Sequence, residues 1–385
     1  SFPNPNSKGK AYLDDMENVE KPADMLYARW HFRWYPASLP DGKEPENAGE
    51  IHWYPVAVPE SIINPSAPRY TGEITPNYAL VFEFEPHDSS PSSWGGIFTC
   101  VWSEGFRVTE DFAFLEVIVQ GDQGKIYIDI GSDMDEDQIR RDVNGNLVGI
   151  DEFNSEDINE NGWLDVGEDT GLDGIEGKDE DRVPGDDGND DYCGTSTPET
   201  REDTLKMNGT EGNNRLDTED LDKDGNFDRD NNYFEFTIDL ENPQYLEREG
   251  KNGWKTFRIP LSDSTLYTRI GSPSWDNIRY VRVWTEGHRF PVKYTIAAIR
   301  FIGNKWNIKE APSDTTDGYF HVLAKNNYKD AEYYPPYDPG RDMFGQEKKE
   351  QSLVFQYRLA PGEKGEATQY LGSAKDFRLY KKLSF

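Results

Sequence analysis

Apolar and polar residues alternate in short bursts over most of the chain. Tyr78–Glu85 reads Tyr-Ala-Leu-Val-Phe-Glu-Phe-Glu, Phe112–Val119 reads Phe-Ala-Phe-Leu-Glu-Val-Ile-Val, and Asn277–Trp284 alternates strictly. A period of two sends successive side chains to opposite faces, so each run predicts a strand with one buried face. Trp94–Trp102, Lys125–Ile130, Tyr233–Leu240, Gly253–Pro260 and Tyr294–Ile302 predict further strands. Gly121–Gly124 predicts a hairpin turn between the runs on either side. Ala28–Tyr35, with Trp30, Phe32 and Trp34 on alternate positions, predicts a strand with an aromatic face. Many short strands punctuated by turns predict an all-β fold: an antiparallel β-sandwich of the jelly-roll, galactose-binding-like kind.

The alternation stops between Gly131 and Asn232, where Asp, Glu, Asn and Gly dominate and apolar residues stand alone. This stretch is far too long for an ordinary loop in a compact domain. We read residues 1–306 as one sandwich carrying an acidic insert at 131–232. Residues 307–349 are polar, with Tyr333-Tyr-Pro-Pro-Tyr-Asp-Pro339, and predict a semi-extended linker. Glu350–Leu359 and Asp376–Phe385 predict fresh strands, the start of a second sandwich over 350–385. Ser1 is no natural start and Phe385 falls inside an apolar-aromatic run, so the chain is expected to be a piece of a longer protein.

The insert carries spaced carboxylates. Asp157, Asn159, Asn161, Asp165 and Glu168 fall at positions 1, 3, 5, 9 and 12 of a twelve-residue loop, with Gly162 at position 6 and Trp163 at position 7. That is the calcium-loop pattern: hard oxygens at those offsets, a glycine for the sharp turn, and a backbone carbonyl at position 7. A second loop places Asp220, Asp222, Asp224, Asn226 and Asp228 at positions 1, 3, 5, 7 and 9 but ends in Asn231. Its last ligand is therefore weaker. Asp169 and Asp173, beyond the first loop, are additional metal candidates, and so are Asp14, Asp15 and Glu17 near the start. Calcium is the expected cofactor, and the insert's folding is expected to depend on it.

Composition narrows the function. The net charge is −32, which excludes nucleic acid as a default partner, because that binding needs Lys and Arg to displace counterions. An apolar share of 35% is low, but an aromatic share of 13% supports an ordered β-rich body. No run is long and apolar enough for a transmembrane helix, and no signal peptide is visible. Cys100 and Cys193 make no disulfide framework; they could pair or stay free. The five His residues lack a zinc-protease spacing, no phosphate loop or nucleophile elbow occurs, and carboxylates near calcium are poor general acids. We therefore expect no enzyme. Trp30 and Trp53 could stack on sugar rings if exposed, although core packing is the plainer role. A calcium-dependent carbohydrate-binding module is the alternative function. Arg279, Arg282, Arg289, Lys293 and Arg300 make the later strands more basic, so that they could face the insert.

The order of several motifs resembles SprA/Sov-type cell-surface proteins, the outer-membrane translocon of type IX secretion, also tied to gliding motility. The matching stretches begin with Pro3-Asn-Pro-Asn-Ser-Lys-Gly-Lys-Ala-Tyr-Leu-Asp-Asp-Met-Glu17, Trp94-Gly-Gly-Ile97 and Ile126–Asp137. They continue with Glu168–Gly174, Asn208–Asn213, Asp217–Leu221, Asn277–Trp284, Phe301–Trp306 and Glu350–Leu353. The resemblance implies a soluble β-sandwich region, at the cell surface or the periplasmic face, of a very large outer-membrane barrel protein. Its implied partners are exported cargo and secretion-system accessory proteins, with membrane contact through a barrel outside this stretch.

Overall fold

The structure, a computed structural model, describes residues 22–26, 32–63, 76–109, 112–121, 123–142, 144–177, 183, 186, 190–193, 206–250, 252–303, 306–312, 318–327, 333–335, 338, 340–341 and 350–369. It is an antiparallel β-sandwich. The first sheet holds β1 (Ala23–Asp24), β3 (Glu50–Pro59), β4 (Pro76–Glu85), β6 (Phe112–Gln120), β11 (Leu246–Glu249), β12 (Trp254–Pro260) and β15 (Val292–Gly303). Their order is β11-β12-β6-β15-β4-β3, with β1 also pairing β15. The second sheet holds β2 (Tyr35–Pro36), β5 (Trp94–Cys100), β7 (Lys125–Asp133), β10 (Asn232–Asp239), β13 (Tyr267–Ile270) and β14 (Tyr280–Glu286), in the order β13-β10-β7-β14-β5-β2.

The period-two pattern does what it predicts. Leu80, Phe82 and Phe84 of β4, Leu115, Val117 and Val119 of β6, and Ile296, Ile299 and Phe301 of β15 point into one core. They meet Ile126, Ile128 and Ile130 of β7, Phe234, Phe236 and Ile238 of β10, and Val281 and Val283 of β14. Interdigitation of two such faces is what holds a sandwich together.

The outer faces carry buried ion pairs. In the first sheet, Glu116 sits opposite Arg258 on one side and Arg300 on the other. Arg258 Nε donates to Glu116 Oε2 at 2.8 Å and Arg300 Nε to Oε1 at 2.8 Å. In the second sheet, Arg282 and Asp129 face each other, both fully buried, at 2.7 Å. The Arg282 guanidinium also lies 4.7 Å from the Tyr233 ring centroid.

Four expectations are corrected. Gly121–Gly124 does not close a hairpin: β6 and β7 belong to different sheets, so the turn is an arch that crosses the core. Phe32 and Arg33 form a helical turn, so the expected strand over Ala28–Tyr35 does not run through to Tyr35, which opens the short strand Tyr35–Pro36; residues 27–31, with Trp30, lie outside the described residues. The expected linker over 307–349 contains most of β16 (Trp306–Glu310) and all of β17 (Tyr319–Asn326). They pair with β19 (Glu366–Gln369) and β18 (Gln351–Arg358), respectively. Leu323 of β17 and Val354 of β18 pack on Phe114 and Ile302, so the β17–β18 ribbon rests on the outer face of the first sheet. Finally, the basic residues of the later strands do not face the insert as a group. Arg282, Lys293 and Arg300 pair within the sheets, and Arg279 reaches the insert, at Asp222. The strand expected over Asp376–Phe385 lies outside the described residues.

Burial pushes the Glu116 carboxyl up, but Arg300 and Arg258 overcome this and hold it down at about 2. A carboxyl lower in the folded than the unfolded chain gives stability that is present above the unfolded value and lost as pH falls. Stability should therefore drop between about pH 4.5 and about pH 2. Denaturant melts across that window should show the drop in the native chain and a shallower one in Glu116→Gln.

Candidate metal centre

The acidic insert leaves the second sheet at the end of β7 and returns at the start of β10, where Asn232 pairs with Asp133 across a register shift. Its regular structure is slight: a ribbon of β8 (Arg140–Arg141) with β9 (Leu147–Val148), one helical turn at Lys206–Asn208, and isolated bridges. Among its described residues few apolar side chains are buried, Met134, Leu172 and Met207 being examples. Something other than a hydrophobic core must order it.

Three fully buried glutamates, Glu136, Glu156 and Glu219, supply the order. Each clasps one residue of a facing segment through both its backbone and its side chain. The Glu156 N–H donates to the Asp217 carbonyl at 3.1 Å, and the Asp217 N–H donates back to Glu156 Oε2 at 2.9 Å. Glu219 does the same with Asn154, at 3.0 and 2.8 Å. Glu136 does the same with Asp228, at 2.9 and 3.3 Å. The remaining carboxylate oxygens accept further N–H groups: Gly171 to Glu156, Gln138 to Glu219, and Leu221 to Glu136, which also accepts the Tyr280 hydroxyl. Burial pushes the Glu136 and Glu156 carboxyls up to about 8 and Glu219 to about 7.

The two expected loops share one backbone geometry. In the first, Asp157 accepts the N–H groups of Asn161 and Gly162 at 2.9 and 2.6 Å. In the second, Asp220 accepts those of Asp224 and Gly225 at 3.1 and 2.9 Å. The position-5 side chain then accepts the position-7 N–H in both loops, at 2.8 Å. The position-4 residues are left-handed, Glu160 at φ 57° and Lys223 at φ 62°. Gly162 and Gly225 follow at φ 79° and 84°, where a side chain is strained.

The loops differ in how their oxygens gather. Among the described residues, three groups of carboxylates bring oxygens within 4.8 Å of one another: Glu136 with Asp220 and Asp222, Asp222 with Asp224 and Asp228, and Asp173 with Asp186 and Asp190. The first loop forms no such group. There the Asn159 amide bridges Asp165 and Glu168 at 2.9 and 3.1 Å, and the Asn161 amide donates to Asp165 at 2.8 Å. These hydrogen bonds hold the Asp165 carboxyl below its ordinary range. In the second loop, burial and the neighbouring Asp224 push Asp222 up, opposed by Arg279. Such a crowded, partly buried group fits a divalent cation, which offsets the mutual repulsion.

Glu136 is the residue that sequence reading missed here. The first loop's Glu168, at position 12, accepts the position-9 N–H of Asp165 at 2.8 Å. Glu136 accepts the corresponding N–H of Asp228. Asn231 instead accepts the Asp135 N–H at 3.3 Å. Asp169 is not among the gathered carboxylates; it accepts the N–H groups of Asn213 and Asn214. Asp14, Asp15 and Glu17 lie outside the described residues.

Trp53 is no stacking platform. It is 3% exposed and belongs to the sandwich core, while its backbone N–H donates to the Asn208 side-chain oxygen of the insert. Beside it, between β3 and the insert, lies a cleft of about 350 Å³ lined by Phe32, Tyr35, His52, Arg141 and Asn208, among others. Cys100 and Cys193 are not disulfide-bonded, and burial pushes Cys100 up to about 12.

No family model matches the chain, and no curated protein matches it. Among solved structures it is similar to a family 11 carbohydrate-binding module from Clostridium thermocellum in complex with a β-1,3-1,4-mixed-linked tetrasaccharide. The TM-score is 0.31 and the identity 10%, over 74% of this chain and 96% of that one. It is also similar to a family 11 module of a cellulosomal cellulase of the same organism, at TM-score 0.30 and 11% identity, over 74% and 95%. At these scores the likeness defines neither family nor ligand.

Both loop glycines have open space where a Cβ would stand. Gly162→Ala or Gly225→Ala should therefore cost only the conformational strain, about 1–2 kcal/mol, read by denaturant melts in calcium.

Proposed function

We propose that this chain is a non-catalytic, calcium-clamped β-sandwich module of a large exported cell-surface protein. The observation that carries this reading is the matched geometry of two twelve-residue loops whose first carboxylate caps the amides of positions 5 and 6. Asp157, Asn159, Asn161, Asp165, Glu168 and the Trp163 carbonyl would hold one ion. Asp220, Asp222, Asp224, Asp228 and the Asn226 carbonyl would hold the other, with Glu136 supplying the carboxylate that Asn231 lacks. Bound calcium would neutralise charge and fix the insert. The raised-pKa glutamates are occupied by backbone N–H groups, which suits scaffolding better than proton transfer.

The motif order supports a place in the soluble part of a type IX outer-membrane translocon. Trp94–Ile97, Ile126–Asp133 and Tyr280–Trp284 fall on β5, β7 and β14, three neighbouring strands, and the insert departs from β7. The module would present a rigid surface to cargo or accessory proteins there. A second reading, carbohydrate binding, is favoured by the cleft with Phe32, Tyr35 and His52 at its wall.

Excess chelator should lower the melting temperature and open residues 131–232 to protease, with calcium restoring both. Unchanged protease resistance in chelator, with no metal detected in the protein, would overturn the calcium reading. For the second reading, a glycan array followed by calorimetry decides. Binding lost in Phe32→Ala but kept in Asp157→Ala would locate a sugar in the cleft, and silence toward every glycan ends it. Co-purification of the full-length protein with secretion partners tests the translocon assignment.

A further inference from the structure

The structure exposes an internal repeat. Asn154-Ser-Glu-Asp-Ile-Asn-Glu-Asn-Gly162 matches Asp217-Thr-Glu-Asp-Leu-Asp-Lys-Asp-Gly225 position by position in polarity, with opposite charges at Glu160 and Lys223. The first three residues of each copy precede the loop's first ligand. In the fold these leaders cross at an antiparallel bridge between Ser155 and Thr218.

The crossing follows a local two-fold, because the backbone N–H groups in it donate in mated pairs. The Glu156 N–H donates to the Asp217 carbonyl at 3.1 Å, and the Glu219 N–H to the Asn154 carbonyl at 3.0 Å. Asp217 donates to the Glu156 carboxylate at 2.9 Å, and Asn154 to that of Glu219 at 2.8 Å. The Asp157 and Asp220 N–H groups donate to the Ser155 and Thr218 hydroxyls, each at 3.2 Å. Each buried glutamate thus stands directly before the first ligand of its own loop while holding the backbone that leads into the other.

We propose that the two loops load calcium cooperatively, as one unit, with Glu156 and Glu219 as the positioning residues that join them. This rests on the calcium reading above. An ion in the first loop fixes Asp157, and through Glu156 it fixes Asp217, three residues before the first ligand of the second loop. The knot is ordered once, so the second ion meets a site whose leader is already in place. The effect is reciprocal, because linkage requires each ion to change the other's affinity by the same factor.

Trp163 lies inside the first loop and is 75% exposed, so it can sensitise terbium(III) bound there. Trp163→Phe keeps the position-7 carbonyl and should remove the signal, which assigns it to the first loop. Calcium binding to the full chain should be cooperative by calorimetry, with a Hill coefficient above one. Asp224→Ala disables the exposed centre of the second loop and should weaken terbium binding at the first about five- to tenfold. Glu219→Gln removes no ligand. It should keep both ions and bring the Hill coefficient to about one, a change that loss of stability alone does not produce. First-loop terbium affinity that is the same in Asp224→Ala as in the native chain overturns the coupling and leaves the calcium reading standing. That arm decides alone if Glu219→Gln fails to fold. Failure of both calcium and terbium to bind the native chain overturns the calcium reading and the coupling with it.

Discussion

A backbone buried without sheet or helix must still place its N–H groups. In this protein that constraint is met by carboxylates. Glu136, Glu156 and Glu219 each hold a facing segment by one donated and one accepted backbone bond, so each side chain does what a second strand residue does in a ladder. The cost is burial of an acid, seen in the raised carboxyls of all three. A nearby divalent cation lowers that cost, since charge beside a carboxylate favours its ionised form. On the proposed calcium reading, the insert's shape and its affinity for metal would have a common origin.

The sandwich handles buried charge differently. Glu116 lies between two arginines on neighbouring strands, and Asp129 faces Arg282 across one strand pair. These pairs sit inside a sheet whose register already fixes their geometry, so the partner is covalent to the fold. In the insert, Arg229 plays this part for Asp135, Asp137 and Asp151, and Arg279 for Asp222. Carboxylates far outnumber basic side chains in the sequence of the insert, which makes the two loops the places where a mobile cation would have most to offset.

Most strands were legible because alternation is a local property. β4, β6, β10 and β14 bury the residues their pattern marks. β3 was not, because Pro55 and Pro59 break its pattern; it is an edge strand, where a missing N–H is tolerated. The Gly121–Gly124 turn was misread because a hairpin and an arch have the same local chemistry and differ only in which sheet receives the next strand. β17 was taken for linker although Tyr319–Asn326 carries Phe320, Val322 and Leu323; its partner lies some thirty residues on, in β18. That the stretches from Asp157 and Asp220 share one loop geometry was legible from spacing alone. The clasping glutamates were not, since a glutamate in an acidic stretch looks solvated. The available signal was the repeat that extends each loop backwards, Asn154-Ser-Glu against Asp217-Thr-Glu.

The ends of the insert are hydrogen-bonded neighbours, Asp133 on β7 and Asn232 on β10. The sheet therefore asks nothing of the intervening chain except that it return to where it left. Closing a longer loop costs only slightly more than closing a short one. β7 and β10 could be joined by a tight turn without changing a single register in either sheet. The sandwich is in this sense a socket, and its cargo can be lengthened or exchanged while the body that carries it stays the same.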